Sequence, residues 1–253
     1  LHAIAKGVDM RAMLAEIFEK ETGLCGGFGG HMHLFDASLK FSATGIVGAG
    51  LPVVIGHAWA ARLRGSDAVA VAVVGDGAVN TGAFHEGMNM VGVHQLPVIV
   101  VVENNEWAIS VPFHEASATA TIAERAPAWS AHGVRVDGTD AEAVADAFGT
   151  AVQRARDGGG PTLIEATCYR FRGHFEGDAD SYRTEEEKER RRKEDPLELT
   201  AQRLISSGVA SAEQVDSLKA AVAAAIADML ASVRADRSPD PATALRHVFA
   251  EVS

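Results

Sequence analysis

The chain has 253 residues and a formal net charge of −11 at pH 7, and this acidic balance argues against a nucleic-acid partner, because phosphate contacts need a basic surface. Hydrophobic residues make up 47% of the chain, but no uninterrupted apolar stretch reaches the length of a bilayer span, so we expect no membrane association. The two cysteines, Cys25 and Cys168, indicate a reducing compartment, and without a visible signal peptide they favour a cytoplasmic location.

The first 63 residues predict a helix, a glycine-rich loop and a second helix. Residues 9–20 have apolar residues at helical spacing, and Asp9 is placed to cap that helix. Residues 22–50 contain many glycines and predict a loop that can wrap a ligand. His31 and His33 would share one face of an extended segment; they could bind a metal, although no third ligand is suitably spaced, or make loop hydrogen bonds. Residues 49–63 are nearly all apolar and predict a buried helix.

The next stretch has the length and order of a βαβ unit. Two apolar runs, Ala68–Val74 and Pro97–Val102, predict parallel strands, and a helical segment, Thr81–His94, lies between them. Each run ends in a polar turn, Gly75-Asp76-Gly77 after the first and Glu103-Asn104-Asn105 after the second. Open α/β sheets bind ligands at the carboxyl ends of their strands, so we expect both turns to face one site.

The residue types of the two turns suit a cation that holds a phosphate group. Asp76 lies between two glycines, Gly75 and Gly77, whose backbone N–H groups can approach an anion. Asn105 adds a neutral oxygen from the neighbouring strand end, and Mg²⁺ prefers such oxygen ligands together with phosphate and water. The alternative is a pair of ordinary turns in which Asp76 is a local cap.

These turns resemble the thiamine-diphosphate-binding motif, since Asp76 and Asn105 are 29 positions apart. The segments GDGAVNTGAFHEGMN and ENNEWAIS are similar to the alpha subunit of the first component of 2-oxo acid and acetoin dehydrogenase complexes. The resemblance implies that Asp76, Asn105 and the backbone carbonyl of Trp107 bind Mg²⁺; Tyr is usual at that position, and a carbonyl ligand tolerates the change. The residues that the resemblance places against thiamine diphosphate are Gly45, Val47, Gly75, Asp76, Gly77, Ala78, Asn80, Asn105 and His174.

The alternation of strands and helices continues after the second turn. A short strand at Val134–Val136 precedes a helix, Ala141–Arg156, which Asp140 caps, and a further strand follows at Pro161–Thr167. The fold class is therefore α/β. The resemblance implies a thiamine-diphosphate-binding fold, with a mostly parallel sheet, helices on both faces and further helices at the C-terminus.

The segment Tyr169–Thr184 has no regular periodicity and predicts a loop directly after a strand. His174 in this loop is the catalytic candidate, because an imidazole donates and accepts protons near neutral pH. The alternative is an exposed loop histidine without a role. The resemblance implies an active-site histidine in a flexible loop over the cofactor. In animal pyruvate dehydrogenases a regulatory Ser follows that histidine, and Phe175 stands there in this chain.

The C-terminal part of the chain predicts helices. The charged run Glu185–Glu194 reads as a solvated helix with ion pairs four residues apart, such as Glu187 with Arg191. Further helices are expected at Asp195–Leu204, Ser211–Arg234 and Ala242–Val252. We therefore predict a cofactor-binding domain at residues 1–183 and a helical extension at residues 184–253.

The resemblance implies a thiamine-diphosphate-dependent oxidoreductase that cleaves acetoin and transfers the acyl group to a lipoyl group. Pyruvate and branched-chain 2-oxo acids are alternative substrates, and a non-catalytic cofactor-binding subunit is an alternative of another class. A nucleotide triphosphatase and a Rossmann dehydrogenase are disfavoured, because the sequence lacks G-x-x-x-x-G-K-[ST] and G-D-G-A-V-N lacks the G-x-G-x-x-G spacing.

The same resemblance implies that the chain works within an assembly. In this family the Glu that faces the aminopyrimidine ring belongs to a separate beta subunit. We therefore expect an α₂β₂ heterotetramer, activity only with the beta subunit, and a lipoyl-bearing acyltransferase as a further partner. Family members also carry an upstream Tyr-Arg segment that helps to bind the cofactor. That segment is absent before Leu1, so we expect the chain to be truncated or part of a longer one.

Overall fold

The computed structural model describes residues 1–248. Within that range the α-helices are α1 (His2–Lys6), α2 (Met10–Ile17), α3 (Gly50–Leu63), α4 (Gly82–Val93), α5 (Phe113–Ala116), α6 (Ala141–Arg156), α7 (Glu185–Arg192), α8 (Pro196–Ser206) and α9 (Ala212–Arg234). The strands are β1 (Phe35–Asp36), β2 (Phe41–Ser42), β3 (Ala70–Gly75), β4 (Val98–Asn104), β5 (Trp107–Ala108), β6 (Val111–Pro112), β7 (His132–Asp137) and β8 (Thr162–Thr167). The 3₁₀ helices are Asp76–Asn80, Ala123–Trp129 and Pro241–His247.

A parallel sheet of four strands in the order β3-β4-β8-β7 forms the centre of the fold. The predicted βαβ unit is present, since β3 pairs with β4 in parallel from Ala70 opposite Val98 to Gly75 opposite Glu103. Strand β8 pairs with β4 on one side and with β7 on the other. The near-continuous apolar run at the start of β4, Val98–Val102, follows from this position, because a parallel strand covered on both faces has no water-facing side.

Helices cover both faces of the sheet, which confirms the predicted α/β class. On one face, α3 and α4 pack against the sheet through a cluster that includes Leu51, Phe84 and Met88, all fully buried. On the other face, α6 contributes Ala151 against Ile164 of β8. Burial of one large apolar side chain stabilises a fold by about 1.5–3 kcal/mol, so these two clusters hold the helices against the sheet.

The chain divides into two compact units, one of Leu1–Gly45 with the segment that begins at Ala210, and one of Ile46–Val209. The first unit pairs α2 with α9, and Arg11 donates to both carboxylate oxygens of Asp236 at 2.8 and 2.7 Å. The second unit contains the four-stranded sheet. The division at residues 183 and 184 remains a prediction about domain organisation.

The glycine-rich segment of the first unit is organised by one buried carboxylate. Glu16 is fully buried, and its oxygens accept the backbone N–H groups of Cys25, Gly27, Gly29 and Gly30 at 2.6–3.1 Å. Four donors around one carboxylate replace its lost hydration, so a loop without a hydrophobic core keeps a defined shape.

Three expectations about elements differ from the structure. The short β1–β2 hairpin lies inside the segment predicted as loop. Helix α3 is not wholly buried, since Val53 is 44% and Leu63 78% exposed; apolar composition does not reveal which faces of a helix have a neighbour. Residues Pro241–His247 form a 3₁₀ helix, and the end of the predicted tail helix lies outside the described residues.

Within residues 1–248, no helix combines the length and apolarity that crossing a bilayer requires.

Candidate functional site

The two polar turns lie side by side, as the βαβ prediction requires. Gly75 at the end of β3 is paired with Glu103 near the end of β4, so Asp76 and Asn105 leave the sheet at the same edge. Asp76 begins a 3₁₀ helix that ends at Asn80, and only then does α4 start. A side chain at Gly77 would bring its Cβ within 2.9 Å of the Ala108 Cβ, so a glycine allows the two turns to touch.

The Asp76 carboxylate is the most unusual group at this edge. Asp76 is 3% exposed, and its Oδ2 atom has no hydrogen-bond partner among the described residues. Burial raises the pKa of this carboxyl, although backbone N–H groups and the charge of Arg170 act in the opposite direction. A buried carboxylate oxygen without a partner is destabilising unless a cation neutralises it, so the position fits a cation ligand.

The turn after β4 is held in a constrained shape. Asn104 Oδ1 accepts the Glu106 N–H at 3.0 Å and Asn105 Oδ1 accepts the Trp107 N–H at 3.1 Å. Glu106 has a φ of 68° and Ile109 a φ of 57°, in the left-handed region that non-glycine residues rarely adopt. An amide oxygen has a second lone pair, so Asn105 keeps the capacity to bind a cation while it holds the turn.

Asn80, predicted to contact a diphosphate, already has two protein partners. Its Nδ2 donates to the Ala116 carbonyl at 3.0 Å, and its Oδ1 accepts from Arg125 Nη1 at 2.8 Å. Arg125 also donates to the hydroxyls of Ser117 and Thr119, and burial lowers its pKa. No sequence pattern indicates Arg125, which brings a guanidinium group to the turn from 45 positions away.

The loop that carries His174 is tied to the turn after β4 by Arg170. The Arg170 guanidinium donates to the carbonyls of Trp107 at 3.3 Å and Ile109 at 2.8 Å, and to the Tyr182 hydroxyl at 2.8 Å. The Trp107 carbonyl, predicted to bind Mg²⁺, is thus oriented towards a positively charged group. This contact brings a loop and a turn that are 63 positions apart into one site.

Asp178 holds the loop itself. Its Oδ2 accepts the His174 N–H at 2.7 Å and the Tyr182 hydroxyl at 2.7 Å, and its Oδ1 accepts the Asp180 N–H at 2.9 Å. These bonds, led by the Asp180 and His174 backbone donors, lower the pKa of Asp178 to about 2. The His174 side chain is exposed, so the loop fixes the backbone of His174 and leaves its imidazole accessible to a reactant.

The charged helix α7 is also part of this site. Glu187 accepts from the Trp107 indole N–H at 3.1 Å and from the Tyr169 hydroxyl at 3.0 Å, while Arg191 forms an ion pair with Glu106. The prediction of a helix is correct, but the prediction that this helix is only solvated is wrong for these residues. A charge pattern cannot show that an indole and a carboxylate about 80 positions away offer better partners than the neighbours along the helix.

Two residues predicted to contact the cofactor, Gly45 and Val47, lie away from the two polar turns in the sequence. Gly45 lies near Met32 and His33 in the first unit, and Val47 is 63% exposed; their contact with a cofactor stays a prediction. Gly48 has a φ of 82°, and a Cβ there would overlap the Thr81 hydroxyl.

His31 and His33 are exposed, and no group of three or more His, Cys, Asp or Glu residues within residues 1–248 is arranged to hold a metal ion.

Comparison with known proteins gives one family. A family model described as dehydrogenase E1 component matches residues 1–242. The alpha subunit of acetoin:2,6-dichlorophenolindophenol oxidoreductase from Cupriavidus necator is 43% identical over 250 residues, which cover 98% of this chain and 75% of the relative. The corresponding subunit from Bacillus subtilis is 50% identical over 188 residues, which cover 74% of this chain and 56% of the relative.

A pyruvate dehydrogenase E1 component subunit alpha, from Porphyra purpurea, is 36% identical over 259 residues, which cover 99% of this chain and 75% of the relative. The chain thus spans between about half and three quarters of the length of these three relatives. The matched region includes both polar turns, the His174 loop and α7. The chain belongs to the dehydrogenase E1 component family.

Proposed function

We propose that this chain is the alpha subunit of a thiamine-diphosphate-dependent dehydrogenase component that cleaves acetoin and passes the acyl group to a lipoyl group. The observation that carries the proposal is the buried Asp76 carboxylate, whose Oδ2 lacks a partner among the described residues, beside a turn that presents Asn105. Acetoin is preferred to pyruvate because the acetoin relatives are 43% and 50% identical and the pyruvate relative 36%. Pyruvate, and after it a branched-chain 2-oxo acid, are the alternatives.

The residues present fit Mg²⁺ and a diphosphate. Asp76, Asn105 and the Trp107 carbonyl would supply oxygen ligands to the metal, which prefers such donors. The backbone of Gly75, Gly77 and Ala78, together with Asn80, would face the phosphate oxygens. When bound, thiamine diphosphate supplies the group that stabilises the carbanion formed when a C–C bond beside a carbonyl is broken. The protein's own part is to bind, orient and exclude water.

His174 would hold or move a proton at one of its imidazole nitrogens, since its side chain is exposed while Asp178 fixes its backbone. Arg170 is placed to keep this loop against the turn through the Trp107 and Ile109 carbonyls. Phe175 follows His174, so the proposal includes no phosphorylation at that position.

A beta subunit would complete the site, in an α₂β₂ heterotetramer that also meets a lipoyl-bearing acyltransferase. The outer surface of α3 and α4 supports a partner, because it exposes apolar side chains, with Val53 44%, Met90 40% and Val93 69% exposed. A groove between these helices is lined by Pro52, Ile55, Gly56, Trp59, Glu86, Gly87 and Met90. The two free cysteines support a reducing, cytoplasmic location. A non-catalytic subunit is the competing proposal.

The test is reduction of an artificial electron acceptor by the chain in complex with its beta subunit, with Mg²⁺ and thiamine diphosphate present. We expect faster reduction with acetoin than with pyruvate, and loss of both activities in Asp76→Ala. Asp137→Ala is the matched control, because Asp137 also ends a parallel strand but is exposed and bonded to Thr139. Faster turnover of pyruvate would contradict the substrate, and full activity of Asp76→Ala would contradict the cofactor site.

A further inference from the structure

A buried carboxylate that contacts neither predicted ligand lies on the central strand β8. Glu165 is fully buried. Its Oε1 accepts from Asn104 Nδ2 at 2.7 Å, and its Oε2 accepts the N–H groups of Ile122 and Ala123, both at 2.9 Å. A carboxylate in a sheet interior is strongly destabilising unless it is fully hydrogen-bonded. The presence of Glu165 in the sheet interior is therefore explained by the groups that these bonds hold in place, the Asn104 amide and the start of the following 3₁₀ helix.

The first bond sets the orientation of the Asn104 amide. Because Nδ2 points to Glu165, Oδ1 points the other way, where it accepts the Glu106 N–H at 3.0 Å. Glu106 is the residue with a φ of 68°. The Glu165–Asn104 contact thus helps to maintain the left-handed backbone between the side chain of Asn105 and the carbonyl of Trp107.

The other two bonds anchor the opposite side of the site. Ile122 and Ala123 begin the 3₁₀ helix Ala123–Trp129. Arg125, in the first turn of that helix, donates to Asn80 Oδ1 at 2.8 Å. One carboxylate therefore connects the turn after β4 with the helix that orients Asn80 in the turn after β3.

We propose that Glu165 is a positioning residue for the metal and diphosphate site: it fixes the turn after β4 through Asn104 and the Arg125–Asn80 pair through the start of the 3₁₀ helix. This inference rests on the proposed function and adds a residue that contacts neither ligand. Glu165 also lies 3.9 Å from Arg135, whose side chain is 56% exposed, and its charge acts on Arg125. Arg135 therefore does not explain why the carboxylate is retained.

The hydrogen-bond pattern provides a sharp test. In Glu165→Gln, the amide NH₂ must face either the Ile122 and Ala123 N–H groups or the Asn104 NH₂, which are all donors. Rotation of the Asn104 amide only transfers the conflict to the Glu106 N–H. One donor–donor contact is unavoidable in this variant. In the double variant Asn104→Asp/Glu165→Gln every bond is restored: the Gln NH₂ donates to the Asp carboxylate, and the Gln oxygen accepts both backbone N–H groups.

The experiment uses the chain in complex with its beta subunit. Mg²⁺ is titrated at saturating thiamine diphosphate, binding is followed by tryptophan fluorescence, and thermal unfolding of each variant is recorded without cofactor. We expect Glu165→Gln to weaken Mg²⁺ binding about tenfold, because a lost or opposed buried hydrogen bond has an effect of that order. The double variant should bind within about twofold of the unsubstituted protein. Thr162→Val is the control on the same strand, since the buried Thr162 hydroxyl has no partner among the described residues, and it should leave Mg²⁺ binding unchanged.

Three results would overturn the inference: a folded Glu165→Gln variant with unchanged Mg²⁺ affinity, a folded double variant that binds as weakly as the single one, or a double variant that does not fold although it retains every bond. If Glu165→Gln alone does not fold, the double variant decides the question. Failure of the proposed function is distinguishable, because then the unsubstituted complex would show no Mg²⁺-dependent binding, or Asp76→Ala would bind equally well. That outcome would also remove the basis of this inference.

Discussion

Replacement of Asp76 by Asn should separate the stability of the fold from its capacity to bind a metal. The Asp76 carboxyl is buried, burial raises its pKa, and its Oδ2 lacks a partner among the described residues. Asn has nearly the same shape and no charge. We therefore expect Asp76→Asn to stabilise the metal-free protein and to abolish the stabilisation that Mg²⁺ and thiamine diphosphate provide.

The expected change in the free energy of unfolding of Asp76→Asn follows from the surroundings of the carboxylate. A buried polar group without a partner costs about 1–3 kcal/mol. The Asn amide leaves one atom in the same position, so only part of that cost is removed, and we expect a gain of about 1 kcal/mol. For a chain of about this size that corresponds to a rise of about 2–4 °C in the unfolding temperature. Cofactor at a hundred times its dissociation constant should stabilise the unsubstituted protein by about 2.7 kcal/mol. Asp76→Asn should therefore be the more stable protein without cofactor and the less stable one with it.

The assay is thermal unfolding of the complex, first with a chelator and then with Mg²⁺ and thiamine diphosphate. Asp137→Asn serves as the control, because Asp137 is exposed at the end of β7 and bonded to Thr139. It should follow the unsubstituted protein in both conditions. The reasoning is refuted if Asp76→Asn unfolds at a lower temperature in the chelator, or if it gains as much from the cofactor as the unsubstituted protein.

The other predictions concern packing and pH. Gly92→Ala should destabilise the fold by about 3 kcal/mol or more, because the added Cβ would overlap the Trp129 carbonyl. Gly149→Ala has nothing near the added Cβ and should stabilise α6 by up to about 1 kcal/mol. Urea unfolding of both variants measures the difference in the free energy of unfolding. The pKa of Asp178 is lowered to about 2 from an ordinary value of about 3.9, so its contribution to loop stability is present above pH 4 and is lost as the pH falls towards 2. The His174 amide should then lose protection, measured as its exchange rate relative to that of an unstructured peptide at the same pH, and Asp178→Asn should remove this dependence.

The elements that sequence analysis predicted correctly are those specified by neighbours in the chain. Asp9 and Asp140 each accept a backbone N–H two or three residues ahead, so the predicted caps of α2 and α6 are confirmed. The two apolar runs of the βαβ unit fix β3 and β4 for the same reason. Since parallel strands end at one edge, the prediction that Asp76 and Asn105 lie there also follows from local patterns.

The contacts that support the site could not be predicted, because they join distant parts of the chain. Glu165 and Asn104 are 61 positions apart, Asn80 and Arg125 are 45 apart, and neither spacing has a sequence signature. Glu165 stands between Ile164 and Ala166 in a strand that begins and ends with threonine, where one charged residue resembles a surface position. Only the register of β8 between β4 and β7 shows that it points into the interior.

The arrangement of strain and burial suggests that the site is preorganised. Two non-glycine residues with positive φ, Glu106 and Ile109, lie in the turn next to the buried Asp76, and each such conformation costs about 1–3 kcal/mol. The Phe113 N–H holds the Glu106 carbonyl at 2.8 Å, and Arg170 holds the Ile109 carbonyl at 2.8 Å. These two hydrogen bonds hold the turn in its left-handed shape through contacts within the protein. Ile109→Gly should therefore relieve strain yet weaken Mg²⁺ binding, because a turn that is free to move must be ordered when the metal binds; Ile109 suits this test since its side chain is 53% exposed, whereas Glu106 also pairs with Arg191. If binding in that variant were as tight as in the unsubstituted protein, the constrained turn would not contribute to affinity.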